Sequence, residues 1–86
     1  MKGDDELLLI NYNGTIINFE RIEKISIEPS NEYEFSIVAY LKSFAIVLGR
    51  YETRAEAEEE LNQLIHCYDI GVKVFEFQQD KGVPFE

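Results

Sequence analysis

Alternating apolar and polar positions in the first half of the chain predict a series of β-strands. Two such segments, 7–12 and 15–19, are separated by Asn13-Gly14. Asn and Gly are the residues that best tolerate the positive φ angles of a type I′ turn. The two segments are therefore predicted to pair as an antiparallel hairpin.

Further strands are predicted where apolar residues recur at every second position or fill a short bounded run. Pro29-Ser30-Asn31 carries loop chemistry and should end one of these strands. Gly49 should mark a bulge or a close backbone approach. The predicted strands are Ile25–Ile27, Tyr33–Lys42, Phe44–Leu48 and Val72–Phe77.

The segment Tyr51–Tyr68 has the pattern of an amphipathic helix. Thr53 followed by Glu56 is a capping box, in which the Thr hydroxyl accepts the Glu56 amide and the Glu side chain returns to the cap amide. Gly71 is placed to end the helix. Apolar residues at helical spacing predict one buried stripe, which comprises Ala57, Leu61, Leu64, Ile65 and Tyr68.

This element order predicts an α+β fold. Consecutive hairpins imply a curved, mostly antiparallel sheet of five to six strands, with one α-helix packed on one face. The 86 residues suffice for one domain, 1–86, because a second core would have too little chain. Residues 1–5 and 78–86 are predicted to be flexible ends.

Composition and charge narrow the classes of partner. The chain is 45% hydrophobic and carries a formal charge of −9, from 17 acidic and 8 basic residues. A surface of this sign repels nucleic acid and anionic membrane but suits a basic protein. No apolar run approaches the roughly 18 residues of a membrane span. With a single cysteine, Cys67, and no leader pattern, a cytoplasmic location is expected.

The candidate catalytic groups are few. His66 lies on the predicted solvent side of the helix, and Cys67 is its neighbour. Adjacent helical residues point about 100° apart, so these two side chains do not form a nucleophile–base pair easily. The acidic runs lack the spacing of a calcium loop, and no phosphate loop or zinc motif is present. We therefore expect no enzyme, cofactor or metal, and keep a site near His66 and Cys67 as the least favoured alternative.

Aromatic residues indicate an interaction surface, because eleven Phe and Tyr exceed what one helix can cover. A second, uncovered sheet face is expected to mark an interface. A curled sheet or partial barrel that buries both faces is an equal alternative. The candidate interface residues are Val38, Tyr40, Val47 and Phe75.

The segment from Val47 to Ala57, with its LGRYETRAEA pattern leading into Leu61, Leu64 and Ile65, resembles the strand-to-helix junction of many short, acidic, uncharacterised bacterial and phage-type proteins. The 10–15 hairpin and the segment 22–27 extend the resemblance over most of the chain. The resemblance implies a sheet-plus-helix fold and no defined activity. It transfers no functional residue.

Two functions follow as hypotheses. The first is a non-catalytic protein-interaction module that self-associates, as a homodimer, through a sheet face or edge. The second is an acidic inhibitor of the phage or mobile-element kind, which mimics nucleic acid towards a basic partner. Its candidate acidic surface comprises Glu52, Glu56, Glu59 and Glu60.

Overall fold

The computed structural model describes residues 6–31 and 34–77 of the chain. They form two three-stranded sheets, one α-helix and a short 3-10 helix. Both predicted flexible ends and Tyr33 lie outside these residues. The elements are β1 (Leu8–Ile10), β2 (Ile16–Asn18), the 3-10 helix (Phe19–Arg21), β3 (Lys24–Asn31), β4 (Glu34–Tyr40), β5 (Ala45–Tyr51), α1 (Arg54–Ile70) and β6 (Val74–Glu76).

The first sheet, sheet 1, has the order β2-β1-β6. Strands β1 and β2 are antiparallel, with Leu9 opposite Ile17, which confirms the predicted hairpin. Strand β6 is parallel to β1 and places Phe75 beside Leu9. The second sheet, sheet 2, has the order β3-β4-β5 and is antiparallel throughout.

The α+β class is confirmed, but the prediction of one continuous sheet of five to six strands is wrong. After β2 the 3-10 helix turns the chain away from sheet 1, and the Asn18 side chain caps this helix by accepting the Glu20 amide. Sheet 1 reaches β5 through the loop after β1. There the Tyr12 amide donates to the Leu48 carbonyl at 3.0 Å, and Asn11 Nδ2 donates to the Val47 carbonyl at 3.0 Å.

Strands β3 and β5 of sheet 2 are longer than predicted, whereas β4 is shorter than the predicted strand 33–42. Strand β3 runs through Pro29 to Asn31, so the predicted loop at 29–31 is wrong. Among the described residues β3 is an edge strand of sheet 2, which is where a proline is tolerated, and its register shifts between Pro29 and Asn31. The register between β4 and β5 also shifts, just before Gly49, which confirms the predicted bulge.

The predicted signals at both ends of α1 are confirmed. Thr53 Oγ accepts the Glu56 amide at 3.1 Å. The Glu56 carboxylate accepts the amide of Glu52 at 3.3 Å, one residue before the expected cap amide. Gly71 ends the helix with a φ of 86°, in the left-handed region that a residue with a Cβ adopts at a cost.

The predicted apolar stripe of α1 is only partly buried. Ala57 and Leu64 are buried and Leu61 is half-buried, whereas Ile65 and Tyr68 are more than half exposed. Ile65 lies about 100° around the helix from Leu64, which places its side chain outside the buried part of the stripe. Tyr68 instead stacks against Phe19, with the ring centroids 4.8 Å apart.

One contiguous core joins both sheets to α1. Its buried apolar residues come from β1, β2, β4, β5, β6 and the helix, so neither sheet has a core of its own. No helix in the described ranges is both long enough and apolar enough to cross a membrane. The core residues are Leu7, Leu9, Ile17, Ile37, Ala39, Leu48, Ala57, Leu64, Phe75 and Phe77.

Candidate protein interface

The four predicted interface residues do not share one surface. Val38 lies directly opposite Val47 in sheet 2, and Tyr40 is on the same face of β4; all three are half-buried. Phe75 belongs to sheet 1, is only 8% exposed, and packs edge to face on Phe77. Phe75 is therefore a core residue, because its position alternates with the outward positions of β6.

Polar side chains that contact one another occupy much of the sheet 2 face around Val38. Glu28 accepts hydrogen bonds from the Tyr40 hydroxyl and from Ser26 Oγ, and the Lys24 ammonium lies 4.7 Å from the Tyr40 ring centroid. The bond from Tyr40, followed by that from Ser26, lowers the pKa of Glu28. The same bond to Glu28 raises the pKa of Tyr40. These groups are mutually satisfied, as expected of a water-facing surface.

The largest exposed apolar side chains in the strands lie on sheet 1 instead. Ile16 is 63% exposed, Val74 is 50% exposed and Leu8 is 36% exposed. They alternate along their strands with Ile17, Phe75 and the other buried residues of sheet 1, so they point away from the core. We call this surface the outer face of sheet 1, which comprises Leu8, Ile10, Ile16, Asn18, Val74 and Glu76.

The strand register arranges the outer face as two rows of three side chains. Asn18, Leu8 and Val74 form one row, and Ile16, Ile10 and Glu76 form the other. The two polar residues occupy opposite corners. The four apolar residues therefore form a diagonal stripe, which spans ~12 Å for strands ~4.8 Å apart with a rise of ~3.3 Å per residue.

A carboxylate lies on each side of this stripe. On one side, Asn18 Nδ2 donates to the Glu6 carboxylate at 3.1 Å, and on the other side the exposed Glu76 follows Phe75. Lys73, which immediately precedes β6, is exposed. The outer face thus combines an apolar centre with acidic flanks.

The sequence itself carries a signal for the outer face. The run Leu7–Ile10 and the pair Ile16-Ile17 are apolar at consecutive positions, so each strand presents apolar side chains to both faces. Such runs are typical of strands covered on both sides. The cleaner alternation of the longer strands predicted the uncovered face there instead.

The predicted acidic surface is divided among several local roles. Glu56 accepts the Glu52 amide at the start of α1, Glu59 is exposed, and Glu60 is half-buried. Within the described ranges, no group of three His, Cys, Asp or Glu side chains is placed to hold a metal ion. The four carboxylates therefore do not form a single convergent site.

His66 and Cys67 lie on an open depression of about 510 Å³. His66 is exposed, whereas Cys67 is half-buried against the core. Within the described ranges, every residue that lines the depression belongs to α1. The lining residues are Glu59, Asn62, Gln63, His66 and Cys67.

No family model, curated protein or solved structure matches this chain.

Proposed function

We propose that this chain is a small, non-catalytic protein-interaction module whose binding surface is the outer face of sheet 1. The observation that carries the proposal is the exposure of Ile16, Val74 and Leu8 on neighbouring strands of one sheet. A contiguous apolar surface rimmed by polar residues is typical of a protein contact.

The free energy available from this face indicates the kind of contact. Complete burial of a Val, Leu or Ile side chain stabilises by about 1.5–3 kcal/mol, so covering the exposed fractions of the stripe contributes on the order of 3 kcal/mol. Association costs at least about 4 kcal/mol in lost translational and rotational freedom. A partner must therefore add polar or charged contacts at the flanks, and the resulting complex is transient.

Self-association, the leading hypothesis from the sequence, fits the acidic flanks poorly. A two-fold axis parallel to the stripe sets Glu76 of one copy against Glu6 of the other. An axis across the stripe sets the two Glu76 side chains against each other. Like charges opposed in this way disfavour a second copy, and we place a different protein ahead of it as the partner.

The inhibitor hypothesis stays a prediction. It requires Glu52, Glu56, Glu59 and Glu60 to present phosphate-like charge together. Glu56 is engaged at the helix cap and Glu60 is half-buried, so the geometry favours the outer face as the binding surface.

The proposal is tested with a matched pair of variants, Ile16→Lys on the outer face and Phe44→Lys in the turn between β4 and β5. Phe44 is 60% exposed, close to the value for Ile16, so both variants should fold. Immobilised wild-type protein and both variants are exposed to lysate of the cells that produce the chain. We expect proteins retained by the wild type and Phe44→Lys to be lost with Ile16→Lys.

Circular dichroism and thermal melting control for folding of both variants. Retention of the same proteins by wild type, Ile16→Lys and Phe44→Lys would contradict the proposed surface. Loss with both variants would show that a basic substitution anywhere on the chain is sufficient, which also contradicts it.

A further inference from the structure

We infer that the partner of the outer face is an amphipathic α-helix whose apolar stripe is bordered on both sides by Lys or Arg. The inference rests on the proposed function, because it names the occupant of the same surface. Three features of the molecule support such a partner: the length of the apolar stripe, the position of its acidic flanks and the packing of α1 on sheet 2.

The stripe has the dimensions of a helix contact. It runs diagonally from Ile16 through Ile10 and Leu8 to Val74. A length of ~12 Å corresponds to about two turns of an α-helix at 5.4 Å per turn. Apolar residues at i, i+3, i+4 and i+7 of a partner helix cover such a length.

Sheet 2 already has the arrangement that we infer for sheet 1, an apolar sheet face covered by a helix. The inner face of sheet 2 is covered by α1, which contacts β3, β4 and β5. In α+β folds an apolar sheet face is normally buried against another layer. The outer face of sheet 1 is the corresponding apolar sheet surface that α1 does not cover, and a helix from another protein would complete it.

The flanking charges select a basic helix. Glu6 and Glu76 lie on opposite sides of the stripe, and the whole chain has a formal charge of −9. A helix with its side chains is about 10–12 Å across, so residues on its two edges lie above these carboxylates. Lys and Arg can cover apolar surface with their stems while their charged ends reach outward to the carboxylates.

Other occupants fit less well. A partner strand added at an edge of sheet 1 would meet β2 or β6, each only three residues long, and gain few backbone hydrogen bonds. A second copy brings carboxylates against carboxylates. Acidic flanks also oppose an anionic membrane surface.

The test uses a synthetic 14-residue peptide of Leu and Lys, with Leu at i, i+3, i+4 and i+7 and Lys on both borders. One control peptide has the same composition in a shuffled order without an apolar stripe, and another carries Glu in place of Lys. Binding to the intact protein is measured by titration calorimetry at two salt concentrations. We expect the patterned Leu/Lys peptide to bind at least about tenfold more tightly than either control.

Protein variants locate the peptide. Ile16→Lys should weaken binding of the Leu/Lys peptide by about tenfold or more. The double variant Glu6→Gln with Glu76→Gln should weaken it by about three- to tenfold, as expected for two exposed ion pairs. The matched double variant Glu23→Gln with Glu59→Gln removes two exposed carboxylates elsewhere and should change binding by less than about twofold.

Equal weakening by the two double variants would mean that the peptide responds only to net charge, and would overturn the inference. So would equal binding of the patterned and shuffled peptides, or tight binding of the Glu peptide. Light scattering that shows a wild-type dimer dissociated by Ile16→Lys would assign the face to a second copy and also overturn it.

The inference and the proposed function fail separately. If Ile16→Lys abolishes capture of a cellular protein while the Leu/Lys peptide does not bind, the helical basic partner is wrong and the interaction surface stands. If capture is indifferent to Ile16→Lys, both are wrong.

Discussion

At the scale of single residues, Gly49 in β5 leaves the space that the Tyr51 ring occupies. A Cβ at Gly49 would lie against the Tyr51 hydroxyl and 2.8 Å from the ring carbon that bears it, so only glycine leaves space for the ring. The Tyr51 hydroxyl is buried and has no hydrogen-bond partner within the described ranges. Burial, and then the charge of Glu60, raise the pKa of Tyr51.

The variant Tyr51→Phe should be as stable as the wild type at pH 7, or more stable by up to about 1 kcal/mol, because it removes a buried unpaired hydroxyl. In the wild type the unfolded state ionises first, near a tyrosine pKa of about 10, while folded Tyr51 stays protonated. The wild type should therefore lose stability as the pH rises above about 10, and Tyr51→Phe should lose less.

Urea unfolding between pH 7 and 11 measures this difference. Tyr68→Phe is the matched control, because the Tyr68 ring is mostly exposed. Parallel stability curves for the wild type and Tyr51→Phe would show that Tyr51 ionises equally easily in the folded and unfolded states.

At the scale of elements, the loop between β1 and β2 joins the two sheets. Asn11 Oδ1 accepts the amides of Asn13 at 3.1 Å and Thr15 at 2.8 Å, while its Nδ2 reaches the Val47 carbonyl. Gly14 has a φ of 93° and Asn13 does not have a positive φ. The predicted type I′ turn is thus wrong, and the Asn11 side chain organises a three-residue loop that ends in a left-handed glycine.

The substitution Asn11→Ala should lower the free energy of unfolding by about 2–3 kcal/mol. It removes three hydrogen bonds at a position only 4% exposed and leaves the Val47 carbonyl without its donor. Asn13→Ala, in the same loop with an exposed side chain, should cost no more than about 0.5 kcal/mol.

Chemical denaturation gives the free energies, and hydrogen exchange at the Thr15 amide reports the loop directly. Asn11→Asp retains both accepted bonds but replaces the donor to the Val47 carbonyl with a carboxylate oxygen at a buried position, so it should also be destabilised. Equal effects of Asn11→Ala and Asn13→Ala would refute a special role for the Asn11 side chain.

At the scale of the whole molecule, the two sheets depend on one core. Leu9 from sheet 1 and Ile37 from sheet 2 are both fully buried, and they belong to the same cluster as Leu64 of α1. Sheet 1 is made of three-residue strands, which are too short to be stable alone. The molecule should therefore unfold as one cooperative unit.

Leu9→Ala and Ile37→Ala should each lower the free energy of unfolding by about 2–4 kcal/mol and shift a single transition. Leu8→Ala, next to Leu9 but on the outer face, should cost less than about 1 kcal/mol. Far-ultraviolet circular dichroism and tyrosine fluorescence should give superimposable melting curves for each variant. Separate transitions, with only one affected by Leu9→Ala, would show that sheet 1 folds independently.

Features with local causes could be predicted from the sequence. The hairpin at Asn13-Gly14, the start of α1 at Thr53 and its end at Gly71 depend on turn and capping chemistry within a few residues. The bulge before Gly49 has the same character. Because these causes are contained in short segments, the sequence alone determines where the hairpin, the bulge and the two ends of α1 occur.

The tertiary structure alone decided the division into two sheets and the position of the exposed apolar face. Alternation shows which side chains of a strand share a face, but it does not show which face meets α1 or which distant strand pairs alongside. The pairing of Leu8 with Val74 joins the two ends of the described chain, and it is this contact that buries Phe75 and turns Val74 outward. Local sequence does not encode that contact, because it depends on the packing of the whole core.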